Sequence, residues 1–126
     1  RNTFEVVAAF EGEWFYKKPV FVWSNSLTVI PEKLKDKAFL VKGNIMEVLA
    51  EIHGKGFHNL YIDGGKTIQS FLKEDLIDEM IITTIPVLLG SGIPLFADFP
   101  KQLVFECIKS TRFLDKVVQN HFLRSR

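Results

Sequence analysis

A strand, two glycines and a helix follow one another directly in the middle of this chain, and this order constrains the fold most. Residues 59–62 (NLYI) predict a short buried strand. Residues 63–66 (DGGK) form the turn, and apolar residues at helical spacing follow at Ile68, Phe71 and Leu72. A strand that passes directly into a helix is the first half of a βαβ unit, so the segment predicts an α/β fold.

Strands and helices alternate in the rest of the chain as well. Residues 19–23 and 38–42 predict strands, and residues 3–10 predict a helix. A second helix follows Gly43 and Asn44, ends at Gly54 and Gly56, and has one apolar face made of Ile45, Val48, Leu49 and Ile52. Residues 80–89 predict a long strand, and the segment from residue 103 predicts a hairpin that turns near Asp115 and Lys116. We expect a single domain over residues 1–126, with a mostly parallel sheet, helices on both of its faces and a C-terminal antiparallel hairpin.

Composition argues against several classes of protein. The 126 residues are 47% hydrophobic, so a packed globular domain is expected rather than a disordered chain. The net charge of +1, without a basic stripe, argues against a nucleic-acid partner, and no apolar run is long enough to span a membrane. The single cysteine, Cys107, fits a reducing cytoplasm, and the three histidines lie at no metal-ligand spacing.

The glycine turn is the strongest candidate for a binding site. Glycines let the backbone approach a phosphate closely, and the first N–H groups of the helix, at Lys66, Thr67 and Ile68, then point at it. A tight turn with Asp63 as the helix cap explains the same residues about as well. The turn lacks the spacing of a dinucleotide fingerprint or a P-loop, so both interpretations stay open.

Two further segments could hold phosphate. Ser24, Asn25 and Ser26 follow a predicted buried strand and could donate hydrogen bonds, although an ordinary polar turn is the simpler interpretation. The guanidinium group of Arg1 could pair with a phosphate, or it could be solvated at the end of the sequence. Ligands of open parallel sheets bind beyond the carboxyl ends of the strands, where these segments and Thr83 are expected.

Three segments in order carry a resemblance to a known family. Residues 63–68 (DGGKTI), 76–83 (LIDEMIIT) and 85–96 (IPVLLGSGIPLF) resemble the reductase domain of bacterial riboflavin biosynthesis and its stand-alone dihydrofolate-reductase-like relatives. Residues 1–5 (RNTFE) resemble the end of the family's Gly-Arg-x-Thr-aromatic-Glu motif. The resemblance implies a dihydrofolate-reductase-like fold and NADPH as the cofactor.

The resemblance also implies roles for particular residues. Thr83 matches a strand threonine beside the substrate pocket, and Asp63 is a proton donor, a substrate contact or only a helix cap. The acid before the two glycines favours the riboflavin-type branch. The residues implied in NADPH binding are Arg1, Asn2 and Thr3 at the phosphates, Ser24, Asn25 and Ser26 at the 2′-phosphate, and Gly64, Gly65, Lys66, Thr67 and Ile68 at the pyrophosphate.

We therefore expect an oxidoreductase that transfers a hydride from NADPH to a C=N or C=O bond of a small heterocyclic or sugar-like substrate. A non-catalytic NADP-binding module is the alternative, and a structural dimerisation domain would bind no cofactor; a homodimer is one expected assembly. In the family, a strand, a helix and a second strand precede the Gly-Arg motif. We expect those N-terminal strands to be missing from residues 1–126, which would then be unstable as a lone monomer.

Overall fold

Strands and helices form at most of the places that the sequence predicts. The computed structural model describes residues 18–24, 36–96 and 98–126, so the predicted helix at residues 3–10 lies outside it. The chain divides into two compact units, and the boundary between them lies between Gly64 and Gly65. The predicted α/β class is confirmed by these elements: β1 (Val20–Trp23), β2 (Ala38–Val41), α1 (Ile45–Gly54), α2 (Gly65–Lys73), β3 (Glu79–Thr84), β4 (Phe105–Phe113) and β5 (Val117–Arg124).

The first unit is built on a parallel strand pair covered by a helix. β1 and β2 pair in parallel from Val20 opposite Ala38 to Trp23 opposite Val41, which confirms both predicted strands. Val41 is buried with Val48 and Ile52 of α1, and Phe21, Trp23 and Leu60 pack against this cluster. The apolar face predicted for α1 therefore covers the strands.

Helix α1 begins with a complete capping box. The Asn44 side chain accepts a hydrogen bond from the Glu47 N–H at 3.0 Å. The Glu47 carboxylate accepts one from the Asn44 N–H, and Gly43 enters the turn with φ of 113°. The capping box thus satisfies the N–H groups of Asn44 and Glu47 with side chains of the same segment.

The second unit holds a three-stranded antiparallel sheet in the order β3-β5-β4. The β4–β5 hairpin is confirmed, and its turn places Leu114 and Asp115 at positive φ before Lys116. Residue 108 is an extra residue between the paired positions Cys107 and Lys109, so β4 contains a β-bulge.

Two strand predictions were wrong. The predicted strand at residues 80–89 ends at Thr84, since Pro86 cannot donate to a ladder, and Leu88 in the following loop is 100% exposed. Residues 59–62 form no ladder with any strand in the described ranges. Leu60 packs on the core of the first unit, whereas Tyr61 is 93% exposed. Their apolar pattern therefore reflects burial of Leu60 rather than strand pairing.

An arginine–aspartate pair ties the end of β5 to the link between α2 and β3. The Arg124 guanidinium donates to both carboxylate oxygens of Asp75, at 2.6 and 2.9 Å. It also donates to the Val104 carbonyl at 2.8 Å and lies 5.6 Å from the centre of the Phe105 ring. Arg126 adds a hydrogen bond of 2.8 Å to Asp78. This bidentate geometry fixes both segments in register.

The Asp75→Asn variant is expected to lose acid sensitivity along with stability at neutral pH. The hydrogen bond from Arg124, helped by the charge of Arg126, holds the pKa of Asp75 below its ordinary value of 3.8. The stability that the pair contributes is therefore complete above 3.8 and is lost as the pH falls through the lowered pKa. Thermal unfolding at neutral pH and in the acid range should show a lower melting temperature for the variant and a weaker dependence on pH.

Asp115→Asn is the matched control, because Asp115 also has positive φ and lies beside an arginine at 3.8 Å but is exposed. Asparagine tolerates positive φ at both positions, so the backbone is preserved. If the melting temperatures of the two variants depended equally on pH, the conclusion that Asp75 causes the acid sensitivity would be contradicted.

Candidate functional site

The glycine turn places two glycines that are needed for different reasons. Gly64 has φ of 94°, a conformation that side chains rarely adopt. Gly65 is the first residue of α2, and a Cβ built on it would meet no heavy atom within 4 Å among the described residues, apart from the adjoining backbone. Nothing in the described structure requires glycine at Gly65, and alanine would favour the helix more. A ligand that approaches the backbone closely would occupy this open space beside Gly65.

The charge at the start of α2 suits an anion. The first turn of α2 contains no acidic residue, and the exposed Lys66 stands there. The first N–H groups of a helix have no acceptor within the helix, and the helix dipole makes this end partly positive. The first turn of α1, in contrast, contains the acidic Glu47. Asp63 is exposed directly before the turn, and Thr67 and Ile68 are half-buried within it.

The serine turn is described only at its first residue. Ser24 directly follows β1 and is 7% exposed. Its backbone N–H donates to the Val41 carbonyl at 3.2 Å, so that N–H is already used within the sheet. Asn25 and Ser26 lie outside the described residues, as do Arg1, Asn2 and Thr3. Their roles at the cofactor phosphates stay predictions.

Thr83 lies on β3, with its side chain in contact with the neighbouring strand. Its Oγ1 accepts a hydrogen bond of 3.0 Å from Nε2 of Gln119, which is directly opposite on β5. The same face carries a contact between the His121 ring and the Glu79 carboxylate. Beside them the sheet has a depression lined by Ile81, Lys109, Thr111, Phe113, Gln119 and His121.

Comparison with known proteins identifies the family of the chain. The family model of the RibD C-terminal domain matches residues 15–119. The chain belongs to this family. A crystal structure from Shewanella sp. PV-4, of a protein whose name assigns it to riboflavin biosynthesis, has a TM-score of 0.95 and 52% identity. The match covers 100% of this chain and 71% of that one.

Two further relatives are more distant. YwjB of Bacillus subtilis is 34% identical over 129 residues, which cover 99% of this chain and 71% of YwjB. The structure of Acinetobacter baumannii RibD matches with a TM-score of 0.61 and 26% identity, over 84% of this chain and 31% of RibD. The RibD C-terminal domain assignment confirms the resemblance stated from the sequence, and the fold is that of a riboflavin-pathway reductase.

Within this RibD C-terminal domain, no sequence pattern indicates Gln119 or Glu79 as site residues. His121 lies at no metal-ligand spacing in the sequence, and in the structure it lines the depression. Only the strand register places Gln119 and His121 beside β3, so local sequence held no signal for them.

Histidine, cysteine and acidic side chains elsewhere in this RibD C-terminal domain are dispersed. Across residues 18–24, 36–96 and 98–126, no three of them are grouped as they would be around a metal ion. The His53 and His58 rings lie 5.2 Å apart, and Cys107 is exposed on β4. In the same ranges, no helix combines the length and apolar character needed to cross a membrane.

Proposed function

We propose that this protein is an NADPH-dependent reductase that transfers a hydride to a C=N or C=O bond of a small heterocyclic or sugar-like substrate. One observation carries the proposal: the open space at Gly65, at the start of a helix without acidic residues in its first turn. Membership of the RibD C-terminal domain family supports a reductase, since the relatives named for riboflavin biosynthesis share this fold.

The turn before α2 fits the pyrophosphate of the cofactor. Gly64 gives the backbone its sharp turn, and Gly65 leaves the approach open. The N–H groups of Lys66, Thr67 and Ile68 would then donate to phosphate oxygens, and the Lys66 ammonium would add charge. NADPH, when bound, supplies the hydride. The work of the protein is to orient the two reactants and to exclude water.

The acceptor side is assigned to two residues. Thr83 has its hydroxyl on an accessible sheet face, where it would contact the substrate. Asp63 is exposed directly before the two glycines, so its carboxyl group is accessible to a substrate. We assign cofactor selectivity to Arg1 and to Ser24, Asn25 and Ser26, whose hydroxyl, amide and guanidinium groups are suited to a 2′-phosphate.

Calorimetry and cofactor oxidation test the proposal together. NADPH should bind more tightly than NADH, and its oxidation should be accelerated with dihydrofolate (a C=N acceptor) or ribose 5-phosphate (a C=O acceptor). NADPH binding without turnover of any C=N or C=O compound would favour the non-catalytic module. A protein that binds neither nicotinamide cofactor would contradict both functions.

Asp63→Asn separates catalysis from helix capping. A residue in proton transfer contributes about 10²–10⁴-fold to the rate, so turnover should fall by about 100-fold while NADPH affinity stays unchanged. Asparagine caps helices as well as aspartate does, so a pure cap would leave turnover intact. Asp98→Asn is the matched control, because Asp98 is also exposed. Equal turnover in the two variants would indicate that Asp63 only caps the helix.

A further inference from the structure

We propose that Gln119 is a positioning residue that holds the Thr83 hydroxyl as a hydrogen-bond donor toward an acceptor atom of the substrate. The inference rests on the proposed function, because it assumes that Thr83 faces the substrate. It goes further by naming a residue that lies far from Thr83 in the sequence and by defining the chemical group that the substrate presents there.

The hydrogen bond between the two side chains sets the direction of the hydroxyl. Nε2 of Gln119 donates to Oγ1 of Thr83 at 3.0 Å, and the amide NH₂ group can only donate. A threonine hydroxyl has one proton and two lone pairs. Since Gln119 occupies a lone pair, the proton of Thr83 is left to donate to another group. The partner of that proton has to be an acceptor.

The neighbouring side chains suit the same kind of ligand. Gln119 lines the depression together with Lys109, Thr111 and His121, all of which can donate hydrogen bonds. Ile81 and Phe113 supply apolar surface in the same depression. The charged and titratable groups that the strand register places on this face are Lys109, His121, Glu79 and Glu106, and Glu79 is in contact with His121.

Hydrogen-bond donors around an apolar surface favour the binding of a planar compound that is rich in hydrogen-bond acceptors. A heterocycle with a ring carbonyl oxygen or an imine nitrogen has both the flat apolar faces and the acceptor atoms that these side chains require. A saturated polyol lacks the flat faces and brings its own donors. Of the two substrate classes in the proposed function, this sheet face therefore favours the heterocycle.

Gln119→Glu tests the direction of the hydrogen bond, because a carboxylate of the same shape can only accept. It would take the Thr83 proton and leave no donor for the substrate. Dihydrofolate and ribose 5-phosphate are titrated calorimetrically with NADP⁺ present, so that no turnover occurs. We expect dihydrofolate to bind more tightly, and its affinity to fall about tenfold in Gln119→Glu, the loss of one good hydrogen bond.

Three controls separate positioning from a structural effect. Gln102→Glu makes the same change at an exposed site outside the sheet and should leave dihydrofolate affinity unchanged. Thr83→Val should weaken dihydrofolate to the same extent as Gln119→Glu, and combining the two should add nothing. Thr84→Val on the opposite face should be neutral. Lowering the pH should restore affinity in Gln119→Glu, since a protonated carboxyl donates again, but not in Gln119→Leu.

Each outcome decides the proposal. Unchanged dihydrofolate affinity in Gln119→Glu, an effect that persists in the Thr83→Val background, or an absence of recovery at low pH would overturn it. So would failure of the wild-type complex with NADP⁺ to bind dihydrofolate. Wild-type affinity for NADPH is measured in parallel, and its absence would instead show that the proposed function itself is wrong. A variant that keeps NADPH affinity and loses only dihydrofolate supports the role of Gln119.

Discussion

Gly65→Val is expected to abolish NADPH binding in a protein that still folds. A Cβ at this position would meet nothing within 4 Å among the described residues, so we expect the free protein to tolerate a valine there. The same side chain would fill the space through which the pyrophosphate reaches the N–H groups of α2. Losing two hydrogen bonds to a charged group costs about 3–6 kcal/mol, so calorimetry should show NADPH affinity reduced by at least about 100-fold.

Gly54→Val provides the matched control for this experiment. Gly54 is the last residue of α1, is not at positive φ and, among the described residues, has no atom within 4 Å of a built Cβ. It therefore receives the same side chain at a helix end in equally open space. Unfolding curves should be similar for the two variants, and only Gly65→Val should lose the cofactor. Wild-type NADPH affinity in a folded Gly65→Val protein would rule out the anion site.

Phe71→Ala is expected to have the largest effect on stability. Phe71 is 5% exposed on the buried face of α2, beside the buried Leu72. Truncating a buried phenylalanine to alanine costs about 3–5 kcal/mol, a large part of the roughly 5–15 kcal/mol that keeps a domain folded. Denaturant unfolding should place the midpoint of the variant far below that of the wild type.

Phe96→Ala makes the same truncation at a side chain that is 46% exposed in the loop after β3. Because it removes much less buried surface, its effect should stay near 1 kcal/mol or below. If the two variants unfolded at the same denaturant concentration, the packing of α2 through Phe71 could not be what stabilises the second unit.

Helix α1 and the hairpin could be predicted because local sequence determines them. Asn44 and Glu47 form a capping box from neighbouring residues, and Val48 and Ile52 follow at helical spacing. The turn near Asp115 is likewise a local feature. The glycine turn also belongs here, since both its bend and its open space arise within a few residues.

The partner of Thr83 could not be predicted, because strand register decides it. Gln119 lies 36 residues away in the sequence, and it meets Thr83 only because β5 pairs with β3 in one particular alignment. The strand prediction at residues 59–62 was wrong because a local pattern does not identify a pairing partner. The apolar pattern there reflects the packing of Leu60 on the core of the first unit. Long-range pairing was thus the information that local patterns lacked.

The bulge at Ile108 divides β4 into two parts that have different neighbours. On one side, Phe105 lies under the Arg124 guanidinium, within the contacts that fix the end of β5. On the other side, Lys109, Thr111 and Phe113 line the depression. A bulge disrupts the ladder locally and bends the strand, so the two halves of β4 differ in local geometry. Because we propose that the substrate lies against this depression, we expect relatives that act on different substrates to differ first between Lys109 and Phe113.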